Sequence, residues 1–301
     1  MIYVWHHAIT LTLTAGATYG LTRGRWTHRC PQLAVLLWQA TTFSALTATV
    51  GLLLSAGLAP YNRGIIPSLL ELIANLAADA PRPLTAAHVA AVVAGLLIIA
   101  TVVAVQVRSS WQLWQRRSRH HLLLRLVARA DTHNRVLVLE HPAAAAYYLP
   151  GPSGCVVVST GTLNALTESE LAAVLAHEHA HARQRHHLVL APFHALRQAL
   201  PWRPVLRAAA CVELLVEMCA DDHAARHHGA VAIAAALHRF RELGSHPAPP
   251  GTLAAADQAV MLRIERLRSA QPPLAFTIRW TVALAALATA TTPISLFVLP
   301  I

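Results

Sequence analysis

The chain has 301 residues, of which 55% are hydrophobic and only 13% charged, against roughly a quarter charged in soluble domains. That composition excludes an ordinary water-soluble protein. All 24 basic residues are arginine and the net charge is +10, but the arginines flank apolar segments instead of alternating with aromatics, which predicts membrane flanks and no nucleic-acid partner.

Four segments are long and apolar enough to span a bilayer, which takes about 20 helical residues: 3–21, 33–59, 86–107 and 276–299. The first carries His6 and His7 and has no basic residue before it, while Arg23, Arg25 and Arg29 follow. A retained helix is therefore expected there, not a cleaved signal peptide. Arginines without acids follow the first and third segments; in the second connection Arg63 and Arg82 are balanced by Glu71 and Asp79. The positive-inside rule then puts the N-terminus outside and residues 108–275 in the cytoplasm. The expected organisation is three transmembrane helices in residues 1–107, a cytoplasmic domain in 108–275 and a fourth transmembrane helix in 276–301, in the cell membrane.

Within 108–275 the pattern predicts a mostly helical α+β domain with a small sheet. An arginine-rich helix is expected over 109–130, and strands over 135–140, 144–149 and 154–159, the last two separated by a Pro/Gly turn cluster. Thr167-Glu168-Ser169-Glu170 is a capping box opening a helix to about Arg185. Further helices are expected over 188–200, 205–227, 230–243 and 257–269, with a Pro/Gly-rich loop at 244–251. The four cysteines, Cys30, Cys155, Cys211 and Cys219, form no C-x-x-C pair, so neither a disulfide framework nor a zinc knuckle is implied.

The capped helix carries His177-Glu178-His179-Ala180-His181, an H-E-x-x-H. Histidines at i and i+4 share a helical face, so both imidazoles can address one metal ion, and Glu178 beside them can act on a water at that metal. A catalytic zinc takes three protein ligands. The third is expected from the helix at 205–227, where Glu217 and Asp221 stand one turn apart. Glu217 is the candidate ligand, and Asp221 the carboxylate that accepts a hydrogen bond from a ligand imidazole. Glu213 is the rival ligand, and Asp222 points elsewhere. The pattern predicts one Zn2+ per chain and hydrolysis with Glu178 as general base. The donor that stabilises the oxyanion is left open among Tyr147, Tyr148, His187, His223 and Arg226.

Three stretches in order, Ala145-Ala146-Tyr147-Tyr148-Leu149-Pro150-Gly151, Val156-Val157-Val158-Ser159-Thr160-Gly161, and residues 171–181 with the H-E-x-x-H, followed by Glu217-Met218-Cys219-Ala220-Asp221, resemble the membrane-bound gluzincin peptidases. That group includes the HtpX and CAAX-prenyl proteases and the BlaR/MecR-type signal transducers, and the layout is closer to the latter. The resemblance implies a zincin-like fold, an endopeptidase acting on a protein or peptide, and a cytoplasmic repressor, or the protease itself, as substrate. It also implies that the strand at 144–149, with Ala146, Tyr147 and Tyr148, pairs with extended substrate. Because the sequence ends at Ile301, the C-terminal sensor domain of those relatives is expected to be lacking. The alternatives are HtpX-like quality control of membrane proteins and a non-catalytic, zinc-bound membrane scaffold.

Overall fold

A computed structural model of the protein describes residues 2–131, 136–151, 154–243, 253–269 and 274–298. The chain divides into two units, Met1–Gln106 with Leu274–Ile301, and Val107–Pro273.

The first unit is helical: α1 (Ile2–Arg23), α2 (Pro31–Gly57), α3 (Ile65–Ala77), the first half of α4 (Ala86–Val127) and α11 (Phe276–Val298). Pro31 sits in the first turn of α2, where its missing N–H costs nothing and its fixed φ suits the helix; α2 thus starts two residues before the expected 33. α2 packs against both α1 and α11. Gly57 permits its close approach to α4, since a Cβ there would lie 2.6 Å from Val92 Cγ2. Among the described residues two helices, Pro31–Gly57 and Ala86–Val127, are long and apolar enough to cross a membrane. α1 and α11 have the length, 22 and 23 residues. α3 was not anticipated in the second connection.

The expected helices at 86–107 and 109–130 are one helix of 42 residues. No proline interrupts it, and Arg108 does not break a helix. It ends at Val127, three residues before the expected end, because residues 128–131 form an unanticipated strand, β1 (Ala128–Asp131), antiparallel to β2 (Val136–Leu139). Arg135, the start of the first expected strand, lies outside the described residues, as does the whole of the loop expected at 244–251.

β3 (Ala146–Leu149) and β4 (Cys155–Ser159) complete a four-stranded sheet in the order β1-β2-β4-β3. β4 runs parallel to β2 and antiparallel to β3, so β3 is an edge strand. Side chains alternate across the sheet. Val157 packs with Leu124 of α4 and Leu149 on one face, while Val156 and Val158 pack with Leu171 and Leu175 on the other. Those leucines belong to α6 (Glu168–Arg183), preceded by the short α5 (Thr160–Ala165).

Behind α6 come α7 (His186–Ala199), α8 (Arg203–His228), α9 (Ala230–Glu242) and α10 (Leu253–Arg268). Arg185, at φ 49°, turns the chain between α6 and α7, so α6 stops short of Arg185 and α7 starts two residues before 188. Ala173, Ala224, Ile233, Leu237, Val260 and Ile264 form the core that joins α6, α8, α9 and α10. This packing lays α8 along α6 and sets the metal-type side chains of the two helices face to face.

Candidate metal centre

α6 is fixed at its start by the anticipated capping box: the Glu170 N–H bonds the Thr167 hydroxyl, and the Glu170 carboxylate accepts the Thr167 N–H. Two turns on, His177 and His181 present their Nε2 atoms 3.1 Å apart. Glu217 on α8 brings its carboxylate oxygens to 3.4 Å from His177 Nε2 and 3.5 Å from His181 Nε2. One ligand atom from each of the three lies within 4.8 Å of the others. Donors around one tetrahedral ion at zinc–ligand distances stand about 3.3 Å apart, so this set fits a single zinc.

The outer nitrogens of both imidazoles face polar neighbours. His177 Nδ1 lies 3.0 Å from Asp221 Oδ1, and Asp221 is fully buried. His181 Nδ1 meets His186 Nδ1 at 2.8 Å, and His186 Nε2 meets Gln184 Oε1 at 3.1 Å. An amide oxygen only accepts, so His186 carries its proton on Nε2 and its Nδ1 accepts from His181. That assignment leaves the His181 Nε2 lone pair free for a metal. Sequence reasoning had not distinguished His186 from its neighbours; five residues after His181, it needs the left-handed turn at Arg185 to fold back.

The second residue that sequence reasoning missed is Arg263 on α10. It is 7% exposed and donates to both oxygens of Asp221 at 2.8 Å, while its Nη1 lies 3.0 Å from Glu217 Oε2. The available signal was negative: a buried acid on an apolar helix requires a cation. Glu213, the rival ligand, is turned away and pairs with His194 at 3.0 Å and Arg197 at 3.1 Å. Asp222 pairs with Arg266. Cys219 is buried, and burial pushes its thiol up to about 12, so it offers no thiolate.

Glu178 Oε2 accepts the backbone N–H of Tyr148 on β3 at 2.8 Å. Burial pushes its carboxyl up to about 7, against the pull of the His177 charge. Burial disfavours charge on His177 too, but Asp221 and Glu217 outweigh it and drive that imidazole upward. Burial drives His181 down to about 4, with Glu217 opposing. One proton thus sits between two facing Nε2 atoms, where a cation would replace it. Glu217 is held well below the carboxylate range: Arg263 and His177 overcome its burial.

Of the residues expected to line the substrate path, Tyr148 and Ala146 lie on the sheet face that meets α6. The Tyr147 side chain lies on the opposite face, its hydroxyl 2.7 Å from His120 Nε2.

No curated protein and no solved structure matches the chain. Residues 113–243 match the model of Peptidase family M48, a span that includes His177, Glu178, His181, Glu217 and Asp221 and stops before Arg263. The side chains that converge here, apart from Arg263, thus lie within the stretch that is similar to Peptidase family M48.

Proposed function

We propose that the protein is a membrane-embedded zinc endopeptidase that cleaves a cytoplasmic protein, a regulatory one such as a transcriptional repressor or the chain itself. The observation that carries this reading is the convergence of His177 Nε2, His181 Nε2 and the Glu217 carboxylate beside a Glu178 carboxylate that a strand amide already orients.

His177, His181 and Glu217 hold the zinc, one per chain, and Asp221 keeps the His177 ring aimed. When bound, zinc supplies a Lewis acid that acidifies a water and polarises the scissile carbonyl. Glu178 accepts a proton at its carboxylate from the attacking water and returns it to the departing amide nitrogen. A carboxyl raised to about 7 suits both halves of that transfer at neutral pH. The Tyr148 N–H faces Glu178 and not β4. Backbone groups alternate sides along a strand, so the N–H and C=O of Ala146 share that free edge. An extended peptide adds there as a fifth strand, held by the N–H and C=O of Ala146 and the C=O of Tyr148, with the Tyr148 N–H kept by Glu178 and Tyr147 bonded toward β4.

The membrane reading rests on the first unit's inverted pattern. On α1, Trp5, Ile9 and Leu13 are more than half exposed, while His7, Thr10 and Thr14 are buried. Phe276, Trp280, Leu284 and Leu287 on α11 are exposed likewise. Apolar outside and polar inside is the arrangement that lipid, not water, favours. α1 and α11 pack on α2, which is itself apolar enough to cross alone, and this supports four spanning helices. The arginines after α1 and along the second half of α4 support a cytoplasmic peptidase domain.

The test compares protein N-termini in cells expressing the wild type and Glu178→Gln. New N-termini that depend on Glu178 are expected. A single cut in a soluble regulator gives the signalling form of this reading, and cuts in many membrane proteins give quality control. Zinc bound with identical N-termini in both strains would leave a non-catalytic scaffold.

A further inference from the structure

The turn between α7 and α8 does no work in the site, yet it exposes a particular mixture of residues. Trp202 is 64% exposed; Leu200 and Leu206 are exposed beside it, as are Arg203 and Arg207. Neither arginine has an ion-pair partner among the described residues, and no acid occurs between Glu178 and Glu213. In water an exposed tryptophan flanked by leucines is a liability. Beside unpaired arginines it is the composition of a membrane interface.

The position of this turn is fixed by a second observation. α4 carries no charged residue from Ala86 until Arg108, so its apolar stretch ends at Val107. The next residue after Arg108, Ser109, is buried and donates its hydroxyl to Gln198 Oε1 at 3.2 Å. Gln198 lies on the last turn of α7, and Trp202 follows four residues later, at most about 14 Å of chain away. Ser109 and the turn belong to the same unit, so the turn stays within that reach of the residues where arginine first enters α4. Trp111 and Trp114, exposed and with ring centroids 5.2 Å apart, follow on α4 at that same end.

We propose that residues 200–207 of the peptidase domain dock in the headgroup layer of the cytoplasmic leaflet, with Trp202 and Leu206 in the interface and Arg203 and Arg207 on the phosphates of anionic phospholipids. This rests on the membrane reading of the first unit. Docking anchors the α7–α8 hairpin, and so α8 with Glu217, independently of the spanning helices.

The full chain is placed in bilayers of phosphatidylcholine and phosphatidylglycerol whose acyl chains are brominated near the headgroup, with unbrominated bilayers as reference. Subtracting the emission of Trp202→Phe from that of the wild type isolates Trp202 among seven tryptophans. The expected result is at least roughly twofold quenching of the Trp202 signal, as for an interfacial aromatic, and less of it in Arg203→Gln/Arg207→Gln. Zinc content equal to the wild type certifies that the variants are folded. If bromolipid quenches the remaining tryptophans and leaves Trp202 untouched, the docking proposal is wrong and the spanning reading stands. A Trp202 signal that is unquenched but cross-links between copies makes this surface a protein interface and equally overturns it. If no tryptophan is quenched, the membrane reading itself fails, and this proposal with it.

Discussion

Arg263 grips Asp221 through both carboxylate oxygens, Nε to Oδ2 and Nη2 to Oδ1, each at 2.8 Å. The pair is shielded from water, and Asp221 simultaneously faces the imidazole of His177. Removing Arg263 therefore leaves a buried anion without its cation. Breaking such a pair on one side costs about 3–5 kcal/mol. Arg263→Ala is expected to lower the thermal midpoint of the peptidase domain by on the order of 10 °C and to weaken zinc binding. Arg263→Lys, which keeps the charge but not the fork, should fall between. Calorimetry of the full chain with and without zinc measures both. An unchanged midpoint in Arg263→Ala would show that Asp221 needs no counter-ion.

Glu217 and Glu213 sit one turn apart on α8 but do different things. Glu217→Gln should reduce zinc affinity by about 100-fold or more, since a carboxylate ligand is replaced by a neutral amide. Glu213→Gln breaks only partly exposed pairs with His194 and Arg197, which are worth about 1 kcal/mol or less, and should leave affinity at the wild-type value. Competition against a chromogenic chelator gives both constants. Equal losses in the two variants would contradict the assignment.

The chain from His181 through His186 to Gln184 makes a prediction that separates positioning from packing. His186→Leu fills the space but offers no acceptor to the His181 N–H, and zinc affinity should drop about 10- to 100-fold, the usual cost of losing an outer partner of a metal ligand. His186→Asn restores an acceptor oxygen near the position of Nδ1 and should recover most of that loss. A merely structural His186 would give the opposite order, with Leu tolerated and Asn not. The same titrations in a visible-absorbing cobalt form would report whether the ligand field shifts in His186→Leu.

What was legible in advance was local. The i, i+4 spacing of His177 and His181, and of Glu217 and Asp221, fixes a shared face wherever a helix forms, and the capping box at Thr167 fixed where that helix begins. The same short stretches carried the resemblance to metallopeptidases, which the match of residues 113–243 to Peptidase family M48 supports. Partners brought together by folding were not legible: Arg263 is 42 residues from Asp221, and only the packing of α10 on α8 joins them. Nor was α4 read as one helix, because the change from apolar residues to arginine looks like a boundary although the backbone has no reason to stop there. β1 was read as the end of a helix because Ala128 and Arg129 favour helix locally; pairing with β2 overrides that preference.

Glu170 carries the pH prediction, since it stands apart from the metal-type residues. Burial alone would raise its carboxyl, but the Thr167 N–H and the Arg239 guanidinium outweigh burial and hold it below the ordinary 4.5. A carboxyl depressed by folding binds fewer protons in the folded than in the unfolded chain, so it adds stability above the ordinary carboxylate value. That stability is lost as pH falls through the depressed folded value. Glu170→Gln should thus cost about 1 kcal/mol at neutral pH, the scale of a helix cap plus a half-exposed ion pair. The gap between variant and wild type should then shrink as pH drops below about 4.5. Urea unfolding of the peptidase domain within the full chain, monitored from pH 7 down to pH 3, measures that gap. A constant gap across the range would mean that the capping box acts through geometry alone and that the Glu170 charge adds nothing.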